Sequence, residues 1–172
     1  MKHGQTPSQT VGPFFAYGLT SEQYGYPFAQ IISGTIKSQG EKIKITGQVF
    51  DGKGLPVADA LVEIWQLDIG FARQGTGTRS DCSFEFETTK PAIASAGDAP
   101  HVNVILFMRG LLSHLYTRIY FEDETAANVS DDVLLTVPKD RRTTLIAKAT
   151  QAGQYRFDIH LQGDGETVFF DL

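Results

Sequence analysis

The chain has 172 residues, one cysteine, four histidines and a formal charge of −5, from 15 Lys+Arg against 20 Asp+Glu. A single cysteine excludes an internal disulfide framework and a thiolate zinc cage, and the acidic balance argues against a nucleic-acid surface, which needs a basic footprint. The length fits one domain with at most an arm, no apolar run nears the roughly 18 residues of a membrane span, and the opening residues lack the basic-then-apolar order of a signal peptide, so a soluble, cytoplasmic protein is expected.

Residues 1–35 are rich in Gly, Thr, Ser and Pro, yet carry Phe14, Phe15, Tyr17, Tyr24, Tyr26 and Phe28. Disordered tails are poor in aromatics. This segment therefore reads as an arm that packs on its own domain or on a partner, followed by a domain over residues 36–172. Alternation predicts a first strand over 43–50, with Ile43, Ile45, Gly47 and Val49 on one face, then a turn at Asp51-Gly-Lys-Gly54. Further strands are expected over 60–66, 83–88 (Phe84 and Phe86 facing one way), 101–107, 115–121, 144–149, 155–162 and 167–170. Only 122–128 reads as helical, and it is short. Eight or so short strands with regular turn signals point to an all-β fold, a single β-sandwich, rather than a parallel α/β sheet.

Chemistry is harder to place. In a strand, residues two apart share a face, so a His-x-His pair would set two imidazoles side by side; here His101 is followed by Asn103, a poor ligand for a transition metal. The plain reading is a hydrogen-bonded histidine beside a polar asparagine. His114, Tyr116, Arg118 and Tyr120 share one face, which could line a pocket, form a subunit contact or be the solvated side of a half-buried strand. Arg156, Asp158 and His160 repeat that pattern, but a metal site from His114, His160 and a tyrosine has no spacing signal behind it. Arg109 emerges at a strand end, where a guanidinium can clamp a carboxylate or simply sit exposed in a turn. Gly12-Pro13 either shapes a turn or lets backbone approach a ligand closely. Lys139, Arg141, Arg142 and Lys148 read as solvated surface. There is no phosphate loop, nucleophile elbow or legible acid pair.

Read together, the arm Thr6-Pro-Ser-Gln-Thr-Val-Gly-Pro-Phe14 and the hairpin from Gly47 to Glu63-Ile-Trp-Gln66 resemble the intradiol ring-cleaving dioxygenases. So do Ala99-Pro-His-Val-Asn103, Arg109-Gly110, Thr117-Arg-Ile-Tyr-Phe121, Thr144-Leu-Ile-Ala-Lys148, Tyr155-Arg-Phe-Asp-Ile159 and the tail from Gln162 to Asp171. The match is to the alpha-type subunit of a heteromeric member and spans nearly the whole chain. It implies a transthyretin-like sandwich and an O2-dependent cleavage of 3,4-dihydroxybenzoate (protocatechuate) to 3-carboxy-cis,cis-muconate. The family holds Fe(III) with two tyrosines and two histidines, and the resemblance places that set in the partner β subunit. In this chain the matching strand reads His101-x-Asn103, and no tyrosine lies between Gln66 and Gly70 or from Lys90 to Pro100. No metal ligand or catalytic residue is therefore expected in this chain alone, and the isolated chain is expected to be inactive. By the same resemblance Gly12, Pro13 and Arg109 would border the substrate in a higher-order assembly of alpha-beta units. The alternatives are a transthyretin-like binding module without an enzyme role, and a self-sufficient homo-oligomer using His101, His114 or His160 with tyrosines.

Overall fold

The computed structural model describes residue 4, residues 6–67 and residues 69–171; His3 lies outside them. Nine strands are seen: β1 Lys42–Phe50, β2 Leu61–Gln66, β3 Gly70–Gly75, β4 Ser83–Thr89, β5 His101–Phe107, β6 Leu115–Phe121, β7 Ile146–Gln151, β8 Gln154–Arg156 and β9 Ile159–His160. They run in the order β3-β2-β5-β6-β7-β8-β1-β4, with β9 also paired to β1. The sheet folds over so that two faces enclose one core, giving the all-β sandwich. From the β1/β4 side come Ile43, Ile45, Val49, Phe84 and Phe86; from the β2/β5/β6 side come Val62, Ile64, Val102, Val104, Leu106 and Ile119. Each set is the alternate-residue face that the strand period dictates. No helix among the described residues is long and apolar enough to cross a membrane.

The turn after β1 forms as its residues require. Asp51 Oδ1 accepts from the Lys53 and Leu55 amides at 2.8 and 2.9 Å, and Gly54 takes φ +74°.

Four expectations need correction. The expected strand over 167–170 reduces to a single bridge between Phe170 and Tyr116, because the neighbouring backbone groups go to the His160 carbonyl and to the Thr117 and Thr144 hydroxyls instead of a strand ladder. The run 155–162 breaks into β8 and β9, where Phe157 donates to the Thr46 carbonyl at 2.8 Å and Asp158 receives the Gln48 amide at 3.0 Å. Residues 144–145 belong to a 3-10 turn over Arg142–Leu145, so β7 begins two residues later than the expected strand. Helix over 122–128 is confined to α2, Thr125–Asn128. Three elements were not expected: β3, helix α1 (Phe14–Leu19) and helix α3 (Asp132–Thr136). Asp131 caps α3: Oδ1 accepts from the Leu134 amide at 2.7 Å and the Tyr120 hydroxyl at 2.9 Å, and Oδ2 from the Ala99 amide at 2.7 Å. This fully buried carboxylate ties α3, β6 and the loop before β5 together over a second small core of Ala99, Tyr120, Leu134, Val137 and Leu145.

Candidate functional site

The arm reaches the turn between β5 and β6. There Gly110, at φ +91°, donates its amide to Thr10 Oγ1 at 2.9 Å. Three residues after Gly12, the Phe15 amide returns to the Gly12 carbonyl at 3.1 Å, and the Phe15 ring packs on Phe107 at 5.3 Å. Gly12 and Pro13 thus lie between two anchor points, Thr10 on Gly110 and Phe15 on Phe107, at the end of the sandwich that carries Arg109. A side chain at Gly12 would meet nothing within 4 Å, so its backbone faces open space. Beyond it, Phe14 is 77% exposed at the start of α1. The arm continues along β3, where Gln23 Oε1 accepts the Gly75 amide at 2.8 Å and the Tyr24 hydroxyl accepts the Gly77 amide at 3.0 Å.

Arg109 itself leans on Asp59, the residue two before β2. Its Nε lies 2.7 Å from Oδ2, with the arginine side chain 66% exposed and the carboxylate 5%. The N–H is not aimed at the oxygen as an aligned hydrogen bond requires, so this contact is a charge pair. Among the described residues no other ion pair or side-chain hydrogen bond engages the guanidinium, which leaves its outer donors for a ligand.

The His101 strand faces elsewhere, onto the outside of the β2/β5/β6 sheet. His101 Nδ1 meets the Ala99 carbonyl at 2.9 Å, and burial pushes the imidazole below its ordinary pKa, favouring the neutral ring. Its neighbours there are Trp65, Asn103, Asp98 and the Arg118 guanidinium. The nearest phenol, Tyr120, is fully buried and donates to Asp131, and burial raises its pKa. A ferric ion needs several anionic oxygen and imidazole donors converging on one point. One imidazole, an amide, a guanidinium and a phenol held protonated do not fit it. Among the described residues no three His, Cys, Asp or Glu side chains converge as a metal group.

The remaining polar groups have structural partners. His114 Nε2 lies 2.7 Å from the Tyr116 hydroxyl in one cleft, while His160 stacks on Phe50 at 5.0 Å and borders another. The two histidines do not share a site. Arg156 binds Asp158 at 2.9 Å; Arg141 and Arg142 donate to the carbonyls of Glu166 and Val137 at 2.7 and 2.9 Å; Lys148 pairs with Glu122 at 3.0 Å. Sequence reasoning missed Asp59 and Thr10. Thr10 lies inside the arm motif but carried no signal of its own, Asp59 carried none, and only the three-dimensional return of the arm and the Arg109 contact reveal their roles.

No family model matches the chain. Curated relatives do. It is 48% identical to the protocatechuate 3,4-dioxygenase alpha chain of Burkholderia cepacia, over 98% of both chains, and 40% identical to that of Pseudomonas putida, over 98% of this chain and 96% of the relative. The beta chain from Burkholderia cepacia is 30% identical over 74% of this chain and 67% of its own length. Among solved structures, the dioxygenase domain of a carbohydrate-binding fusion protein from Streptomyces sp. SirexAA-E aligns with TM-score 0.60 at 20% identity, covering 95% of this chain and 100% of that one. An intradiol ring-cleavage dioxygenase from Tetranychus urticae aligns with TM-score 0.63 at 17% identity, over 77% and 88%. The structural matches establish the shared fold; full-length identity establishes the family, which is iron-dependent. The chain belongs to the protocatechuate 3,4-dioxygenase alpha chains, within the intradiol ring-cleaving dioxygenases.

Proposed function

We propose that this chain acts in a heteromeric protocatechuate 3,4-dioxygenase as the subunit that does not bind iron, with Gly12, Pro13 and Arg109 bordering a substrate pocket whose Fe(III) is held by a β subunit. The observation that carries this reading is the Thr10–Gly110 hydrogen bond at 2.9 Å, which seats the arm beside the Arg109 turn. The division into an arm (1–35) and a sandwich (36–172) belongs to the same proposal: the arm is docked on its own sandwich yet keeps Gly12 and Phe14 outward for a partner.

In that assembly the ferric centre supplies the oxidative ring cleavage. This chain's residues bind and orient. The Arg109 guanidinium places positive potential beside the carboxylate of 3,4-dihydroxybenzoate, and can offer it paired hydrogen bonds. It also favours the developing negative charge of a product that carries further carboxylates. The Gly12-Pro13 backbone, with no side chain at its first position, forms a thin wall that lets an aromatic ring approach closely. A bulkier residue there would fill the space that the ring needs.

The test is kinetic, on the complex of this chain with a β subunit. Arg109→Ala should raise KM for protocatechuate by roughly 10-fold or more, since a hydrogen bond to a charged group contributes about 1.5–3 kcal/mol. Assembly and iron content should stay unchanged. Unaltered kinetics in an intact complex would remove Arg109 from the site.

A further inference from the structure

Three strands set an indole, an amide and a guanidinium in one row. Trp65 on β2 is the cross-strand partner of Asn103 on β5, and Asn103 is the partner of Arg118 on β6. Directly paired residues point to the same face, and neighbouring strands lie about 4.8 Å apart, so the three span roughly 10 Å. All three line both of two adjoining clefts. One, of about 430 Å3, opens toward residues 91–98 and includes His101. The other, of about 470 Å3, opens toward Val133 and Phe170.

Folding leaves the binding capacity of each group open. Arg118 is half-buried; among the described residues it makes no ion pair, and its one side-chain hydrogen bond runs to the Tyr120 hydroxyl at 3.3 Å. The Asn103 amide makes no side-chain hydrogen bond among those residues. Trp65, the only tryptophan in the chain, is 45% exposed although its neighbours on β2 are buried. His101 has committed Nδ1 to a backbone carbonyl, leaving Nε2 for the cleft. Two acids stand at the rims: Asp98, hydrogen-bonded by the Ser95 hydroxyl, and Asp171. A guanidinium drawn partly out of water without a carboxylate partner favours an anionic ligand. The indole adds a flat apolar surface, on which planar rings and cations stack but extended aliphatic chains gain less. Acids at both rims disfavour a ligand with a second negative charge.

We propose that this row is a binding site for a small planar monocarboxylate of the benzoate class. The carboxylate pairs with Arg118, the ring lies on Trp65, and the Asn103 amide hydrogen-bonds between them. The site is set back from the Arg109 turn: four strand positions separate Asn103 from the end of β5 at Phe107, roughly 13 Å, before the turn begins. It therefore does not depend on the role proposed for Arg109.

The sole tryptophan makes the site its own reporter. Benzoate titrated into the full-length chain should change Trp65 fluorescence saturably at one equivalent. Phenol, which lacks the carboxylate, and cyclohexanecarboxylate, which lacks the planar ring, should bind at least 10-fold more weakly. Arg118→Gln, verified as folded by circular dichroism, should lose at least 10-fold in benzoate affinity, whereas Arg109→Ala should keep it. In the complex with a β subunit, equilibrium dialysis should count one benzoate fewer per alpha-beta unit for Arg118→Gln than for the unmodified complex. Equal affinity of folded Arg118→Gln and the unmodified chain, equal binding of phenol and benzoate, no saturable signal, or an unchanged count in the complex would each overturn the proposal.

Discussion

Asp59 holds Arg109 from behind: a carboxylate 5% exposed sits 2.7 Å from the Nε of a guanidinium that is 66% exposed. The buried partner fixes the base of the side chain while its outer edge stays in solvent. On the role proposed for Arg109, Asp59 is a positioning residue. In the assembled enzyme Asp59→Ala should raise KM for protocatechuate in the same direction as Arg109→Ala, with a smaller effect on kcat. The double variant should be no worse than Arg109→Ala alone, because Asp59 acts only through that arginine. Steady-state kinetics on the three variants decide it, and additive losses would show that the two residues act independently.

Asp131 concentrates three hydrogen bonds on one fully buried carboxylate. Asp131→Ala removes a helix cap and leaves the Ala99 amide and Tyr120 hydroxyl without an acceptor, at a cost of about 2–4 kcal/mol. For a chain of this size the melting temperature should fall by roughly 5–15 °C. Thermal unfolding followed by circular dichroism checks this.

The pH dependence at the acid end is set in part by Asp123. Burial works to raise its pKa, but hydrogen bonds from Lys90 and the Tyr155 hydroxyl, both at 2.8 Å, outweigh burial and hold it below the ordinary carboxylate range. A depressed carboxylate contributes stability that is present above its unfolded pKa, near 3.8, and lost as pH falls through the lower folded value. Between pH 4 and 2 the unmodified chain should lose stability more steeply than Asp123→Asn, while at pH 7 the variant should be the less stable. Melting temperatures across that range test the sign.

Gly47 sits where β1 passes over Phe157. A Cβ there would collide with the Phe157 carbonyl and come within 2.6 Å of the Phe84 ring. Gly47→Ala must part β1 from the segment between β8 and β9, costing about 1–3 kcal/mol or more. Urea unfolding should show a lower midpoint with a similar slope.

Strands β1 and β5 were legible because alternating apolar residues meet a buried face at every second position; β2, β4 and β6 were legible as short apolar and aromatic runs between turn signals. β3 was not: Gly-Phe-Ala-Arg-Gln-Gly buries only Ala72 and Gly75 and pairs along its length with β2, a tertiary fact. α1 has no side-chain cap and buries only Ala16, so no periodic signal marks it. α3, by contrast, carried a readable one in Asp131 ahead of an apolar run closed by Pro138. At the candidate site, Gly12-Pro13 and Arg109 were named separately, and motif resemblance linked them. The bond that carries the arm to the turn holding Arg109 spans 100 positions, beyond any local pattern. The Trp65–Asn103–Arg118 row is a matter of register across three strands, which no single segment discloses.

β1 pairs with β4 on one side, but on the other only with β8 and β9, the last strands in the chain. During synthesis it must therefore stand with one row of backbone donors and acceptors bare until residues 154–160 arrive. Closure of the sheet is a late, long-range event, and such events fold slowly and expose sticky edges meanwhile. A product that stops short of Gln154 would keep that edge permanently, so premature termination in this stretch should give aggregates instead of a shortened but soluble subunit.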